Sequence, residues 1–316
     1  MPSLTLPSLS RSTRAVLPAA LSALLLSSCA AGSPGAGQAA TSAPATSASV
    51  QPAPPSQSEA DSTHGPADVG HIHGIHPDGD RLLIATHHGL FVAGLEGMRS
   101  DGTLPGGGGP TPRGPQIDLM GFAASDEALY ASGHPGAGSE LPNPVGLMRS
   151  TDDGATWEPL SRAGESDFHA LTTTDGAVVG FDGNLARTQD GVEWEAVDGP
   201  DAFALAGHPA GPTVLATTPD GLWVSEDAGQ TWAAAASQPD EVLQFVTFAD
   251  ADTAVGIAPD GSVHVSEDAG ASWEERGLAG SAPSAVAAQV REGQLHVWAA
   301  VGTAVVHSDD GGARFS

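Results

Sequence analysis

From about residue 71 onward, apolar and polar positions alternate in short runs such as Gly89-Leu-Phe-Val92, Gly221-Leu-Trp-Val-Ser225 and Gly261-Ser-Val-His-Val-Ser266. A period of two is the signature of strands with one buried face. Such glycine-led strands begin near residues 89, 146, 183, 221, 261 and 302. The last five lead into related turns closed by an aromatic: Ser150 to Trp157, the shorter Thr188 to Trp194, Ser225 to Trp232, Ser266 to Trp273 and Ser308 to Phe315. The closing aromatics follow one another at intervals of 37, 38, 41 and 42 residues, which is the length of one four-stranded propeller blade. The pattern predicts an all-β chain forming a single β-propeller of four-stranded antiparallel blades, with the repeated turn between the third and fourth strands. Six blades are counted, and a seventh has no repeat of its own. The first interval is longer because a Gly/Pro-rich surface loop, Arg99 to Pro115, is inserted there. The sequence stops at Phe315-Ser316, ahead of a last outer strand, a place that the segment before His71 is free to fill.

The turn has a physical logic. A carboxylate can accept the backbone N–H groups of its own turn, and glycine supplies a positive φ. Asp152, Asp190, Asp227, Asp268 and Asp310 are therefore read as structural.

The N-terminus adds a second message. Arg11 and Arg14 precede an apolar run from Ala15 to Leu26 and then Ser27-Ser28-Cys29, the layout of a secretory signal with a lipoprotein cleavage site. About a dozen apolar residues fall short of the roughly 20 that span a bilayer. The expected organisation is a signal peptide over 1–28, an Ala/Ser/Pro/Gly-rich tether over 29–68 too poor in apolar residues to fold, and the propeller over 69–316. Cys29 is the only cysteine, so its lipidation leaves no thiol and no disulfide. The protein is expected outside the cytoplasm, held to the cell membrane by its lipid.

Charge narrows the partners. The chain has no lysine, 11 arginines and 38 acidic residues, for a formal charge of −27. Such a surface repels nucleic acid and anionic lipid head groups, and lysine-based covalent catalysis is excluded.

Candidate chemistry gathers at one end of the ring. His71 and His73 alternate at the entry of the first innermost strand, Asp118 and Met120 at the second, Asp167 and His169 at the third. His87, His88 and His134 belong to second-to-third turns at the same end. Histidine is the commonest ligand for zinc and copper, with a carboxylate serving as ligand or as the partner that holds a ring. Zn or Cu is the cofactor this set suggests, and Met120 would favour Cu. Asp118 and Asp167 are also the first choices for a pair of catalytic carboxylates, with Asp182 and Glu241 behind them. His76, His208, His264, His296 and His307 read as structural.

The five turns resemble the Asp-box, or BNR repeat, of sialidases, sortilin-type receptors and photosystem assembly factors. Together with His71-Ile-His-Gly-Ile75, Ala85-Thr-His-His-Gly-Leu-Phe91, Asp118-Leu-Met-Gly-Phe122, Ala131-Ser-Gly-His-Pro135, Gly146-Leu-Met-Arg-Ser150 and Asp167-Phe-His-Ala-Leu171, they resemble a family of bacterial Asp-box lipoproteins catalogued as glycosyl hydrolases, in the sialidase-like propeller superfamily. The resemblance implies a sugar-cleaving activity. The sialidase set itself is not found: Tyr130 is the only tyrosine, and Arg149, Arg187 and Arg314 belong to the turn-bearing strands. Three roles therefore stand side by side: a tethered binding propeller with a histidine-rich mouth for a metal or ligand, a glycoside hydrolase, and a scaffold for a protein or glycan partner without a small ligand.

Overall fold

A computed structural model describes residues 69–95 and 111–316, all within one compact unit. The signal peptide, Cys29, the tether and most of the inserted loop lie outside the described residues. Among the described residues no helix is long and apolar enough to cross a membrane.

The described chain is strand and turn throughout, arranged as six antiparallel sheets in sequence order. Blade 1 holds β1 (Ile72–Asp78), β2 (Arg81–Thr86), β3 (Gly89–Gly94) and β4 (Thr111–Arg113). Blade 2 holds β5 (Ile117–Ala124), β6 (Leu129–Pro135), β7 (Leu147–Ser150) and β8 (Glu158–Ser161). Blade 3 holds β9 (Ala170–Thr174), β10 (Ala177–Phe181), β11 (Leu185–Thr188) and β12 (Glu195–Val197). Blade 4 holds β13 (Ala204–Gly207), β14 (Val214–Thr218), β15 (Gly221–Ser225) and β16 (Ala233–Ala234). Blade 5 holds β17 (Phe245–Phe248), β18 (Ala254–Ile257), β19 (Ser262–Ser266) and β20 (Glu274–Leu278). Blade 6 holds β21 (Ala285–Arg291), β22 (Gln294–Val301) and β23 (Ala304–Ser308). Ser316 adds the first outer pair of blade 6 by exchanging backbone hydrogen bonds with His307 at 3.0 and 3.1 Å.

Each innermost strand stands beside the next, and β21 stands beside β1, so the six blades close a ring. This is the six-bladed β-propeller counted from the glycine-led strands, and no seventh blade is present among the described residues. The segment before His71 contributes no strand as far back as it is described, and Val69 instead packs into the junction of blades 6 and 1.

The core is divided into six apolar clusters, one at each junction between blades. This follows from the strand pattern, because both faces of every inner strand meet a neighbouring blade while only the outer strands face water. The repeated turns serve these junctions. Asp152 Oδ1 accepts the amide of Thr156 (2.9 Å) and the hydroxyl of Ser150 (2.8 Å), and Ser150 Oγ accepts the amide of Gly154 (2.8 Å). Asp227, Asp268 and Asp310 repeat the carboxylate-to-amide bond at 2.8, 2.7 and 2.9 Å. These bonds, led by those from Thr156, hold the Asp152 carboxyl down at about 2. The turn glycines also leave space for the preceding blade. A Cβ on Gly154 would lie 2.2 Å from Leu90, one on Gly229 2.8 Å from Val179, and one on Gly312 2.9 Å from Val263. At the junction of blades 6 and 1 the fully buried Trp298 fills the core.

Candidate functional site

One rung of the ring explains where the polar side chains go. The residue immediately before the regular ladder of each innermost strand is His73 in blade 1, Met120 in blade 2, His169 in blade 3, Phe203 in blade 4, Gln244 in blade 5 and Ser284 in blade 6. In blades 3 to 6 its amide donates to the second strand, at 2.8 to 3.1 Å. In blades 1 and 2 the register slips at this point, between Ile72 and Gly74 and between Leu119 and Gly121. A bulge re-aims the side chain of the extra residue, so His73 and Met120 do not follow the simple alternation of a flat strand. Glycine is required beside the second bulge: Gly133 has φ of 144°, and a Cβ there would lie 2.0 Å from the carbonyl oxygen of Asp118.

His71, His73 and His87 form the tightest group. One ring nitrogen from each lies within 4.8 Å of the others, and the ring centroids are 4.5 to 5.7 Å apart. His71 and His87 are exposed, whereas His73 is half-buried and its Nε2 is buried without a hydrogen-bond partner. Burial first, and then the neighbouring His87 and His71, lower the His73 pKa from 6.5 to about 4. It is therefore a neutral imidazole at any ordinary pH, the form that ligates metal ions. Asp118 Oδ1 lies 2.9 Å from His87 Nδ1 without hydrogen-bond alignment, and no other partner reaches it among the described residues.

A second group adjoins the first. Asp167 Oδ2 lies 3.1 Å from Nε2 of His134 and 3.3 Å from Nε2 of His169. His134 Nδ1–H donates to Asn143 Oδ1 at 2.7 Å, and the loop carrying Asp167 is fixed by a bond from the amide of Phe168 to the buried Ser132 hydroxyl at 3.0 Å. Asp118, which stands 2.9 Å from His87, is the cross-strand partner of His134, and this pair joins the two groups in one mouth.

The sequence matches no protein-family profile and no curated protein. Solved structures share the architecture. A GH74 enzyme of Niastella koreensis is 15% identical with a TM-score of 0.51, over 80% of this chain and 37% of that enzyme. The extracellular domain of a one-component system from B. thetaiotaomicron is 12% identical with a TM-score of 0.50, over 75% of this chain and 32% of that one. At these identities the likeness is one of fold.

Of the six histidines singled out from the sequence, five fall into the two groups. His88 is set apart: its ring lies against Gly70, 3.1 Å from where a Cβ would stand, because its amide is turned inward to the Thr86 hydroxyl at 3.0 Å. Asp182 pairs with Arg162 at 3.7 Å and Glu241 approaches His264 at 3.7 Å. Asn143 and Ser132 were not visible as site residues, since neither type signals a site without its neighbours. Gln244 and Ser284 complete the picture, for each carries a buried side-chain oxygen without a partner. Five of the eight such buried atoms among the described residues belong to this mouth. Buried polar atoms are normally satisfied by protein or ordered water, and at this end of the ring five of them have no protein partner.

Proposed function

We propose that the protein is an exported, lipid-anchored propeller that binds a transition-metal ion through His71, His73 and His87. The observation that carries this reading is the buried, unpartnered Nε2 of His73, an imidazole kept neutral beside two others with ligand atoms inside 4.8 Å. Two ligands on one ion at bond lengths of roughly 2.0 to 2.1 Å stand about 3.3 Å apart. The exposed His71 and His87 rings close that difference by small rotations, while His73 stays fixed by its surroundings. Asp118 beside Nδ1 of His87 leaves Nε2 for the ion, as an outer carboxylate does for metal-bound imidazole. An all-imidazole set suits Zn or Cu, and a fourth position is left for water or a ligand. A glycoside hydrolase would need Asp118 and Asp167 free to act across a sugar. Imidazoles crowd one oxygen of each, with His87 Nδ1 2.9 Å from Asp118 Oδ1 and His134 Nε2 3.1 Å from Asp167 Oδ2, which favours binding over glycoside hydrolysis.

The test is elemental analysis of the full chain purified without a histidine tag. His73→Ala, and the milder His73→Gln, are expected to remove one equivalent of tightly bound ion and the rise in melting temperature that the ion confers. Unchanged metal content in folded His73→Ala protein would overturn the assignment.

A further inference from the structure

Away from the mouth, a cavity of about 450 Å³ is lined by Arg291, His296, Trp298 and His307 of blade 6 and by Leu95, which follows the third strand of blade 1. Arg291 ends β21 seven residues after Ser284 on the mouth rung, about 23 Å along an extended strand, so the cavity belongs to the opposite end of the blade. One face of blade 6 forms its wall. Trp298 and His307 are cross-strand partners, and His296 stands two residues before Trp298 on the same face. The three rings are near-parallel, with planes 9 to 17° apart and centroids 5.0 to 5.9 Å apart, and tile a flat surface. His296 Nδ1 and His307 Nε2 share a hydrogen bond of 3.1 Å. Burial, ahead of any charge, lowers the pKa of both. Whichever ring donates, the outer nitrogens of the neutral pair are one donor and one acceptor. Trp298 is 1% exposed, and its Nε1–H, a group that can only donate, is buried without a partner among the described residues. Arg291 uses one N–H on Asp80 Oδ1 at 2.7 Å, and a guanidinium carries five.

We infer that this cavity binds a planar aromatic carboxylate, its ring against the His296–His307 surface and its oxygens taken by Arg291 and Trp298 Nε1–H. Each part of the ligand answers one feature of the wall. A flat tile of rings favours a flat π-system. A buried N–H without an acceptor carries a desolvation cost that a ligand oxygen removes. A guanidinium matches a carboxylate in charge and in its forked geometry. The volume lies within the roughly 300–1,000 Å³ of small-ligand sites. In a chain with a formal charge of −27, an anion needs such local donors to be held against the general field. The site uses no residue of the mouth and does not require a metal there.

The probe is benzoate. It is titrated into the full chain, untagged and stripped with a chelator so that no ion in the mouth captures the carboxylate, and followed by calorimetry and by proton–nitrogen NMR of the indole N–H groups. Trp298→Phe keeps a ring and removes the N–H, which identifies the Trp298 signal among the six tryptophans. One equivalent of benzoate is expected to bind and to move that signal. Trp298→Phe and Arg291→Gln are each expected to weaken binding by about 10- to 100-fold, as loss of a hydrogen bond to a charged group does. Arg291 is partly exposed, so its variant keeps the test open should Trp298→Phe fail to fold by circular dichroism. Cyclohexanecarboxylate, an acid without the flat ring, is expected to bind about 2- to 10-fold more weakly than benzoate, and benzyl alcohol, a ring without the acid, about 10- to 100-fold more weakly. No saturable binding, or binding that leaves the Trp298 signal in place, overturns the site. An affinity unchanged in Arg291→Gln, or equal for benzoate and benzyl alcohol, overturns the carboxylate, and equal affinity for benzoate and cyclohexanecarboxylate overturns the aromatic ring.

Discussion

At the scale of single residues, His73 concentrates the physics of the mouth. Its imidazole loses solvation in the folded chain and lies beside two other rings, so its pKa is about 4 against an ordinary 6.5. In the unfolded chain it takes up a proton near 6.5. Between these values the unfolded state binds more protons, so stability rises with pH across that window. The contribution is intact above pH 6.5 and is lost as pH falls toward 4. Burial lowers His76, His296 and His307 in the same direction. Metal-free protein is therefore expected to melt at a distinctly lower temperature at pH 4.5 than at pH 7, and His73→Gln should narrow that gap. Equal gaps in the two proteins would show that His73 is not the source. The sequence made the residue legible, because two histidines at alternate positions of a strand entry share a side. Its bulge was not legible, since nothing in Ile72-His73-Gly74 distinguishes a slipped register from a regular one.

At the scale of elements, the bulged strands β1 and β5 separate this mouth from a plain propeller opening. The repeated turns were readable in advance because a carboxylate that must accept amides four residues on tolerates few substitutes. The packing role of the turn glycines was hidden, since it depends on Leu90, Val179 and Val263 in the preceding blades. The same holds for Gly121, where a Cβ would lie 2.1 Å from the carbonyl oxygen of Phe168 in blade 3. Gly121→Ala must push blade 2 from blade 3 at the point where His134 meets Asp167. It is expected to lower stability by about 1–3 kcal/mol or more, the usual cost of overpacking, read as a lower urea midpoint. Gly94→Ala is the control, because a Cβ there meets nothing within 4 Å among the described residues and should change the midpoint little. Similar midpoints for the two variants would contradict the close approach of blades 2 and 3.

At the scale of the whole molecule, the rung of six residues is chemically lopsided. Blades 1 to 3 present His73, Met120 and His169, and blades 4 to 6 present Phe203, Gln244 and Ser284. The regular period gave the ring and its blade number, but residues unlike in chemistry leave no repeat by which to align them, so the far half of the mouth was invisible beforehand. The ring itself closes by packing. No sheet takes strands from both ends of the described chain, and blades 6 and 1 meet through an apolar cluster with Trp298 at 1% exposure and through the exposed pair Arg291–Asp80 at 2.7 Å. Trp298→Ala is expected to cost about 3–5 kcal/mol, and a loss below about 1 kcal/mol in chemical denaturation would show that the junction rests on something else. The architecture thus behaves as a split washer whose cut lies between the sixth and first sectors. Of the three histidine–carboxylate contacts in the mouth, two bridge neighbouring sectors away from the cut, His87 to Asp118 and His134 to Asp167. A gap opening at the cut would leave the histidine-bearing half of the mouth in one piece, so breathing of the ring would not pull the proposed ligands apart.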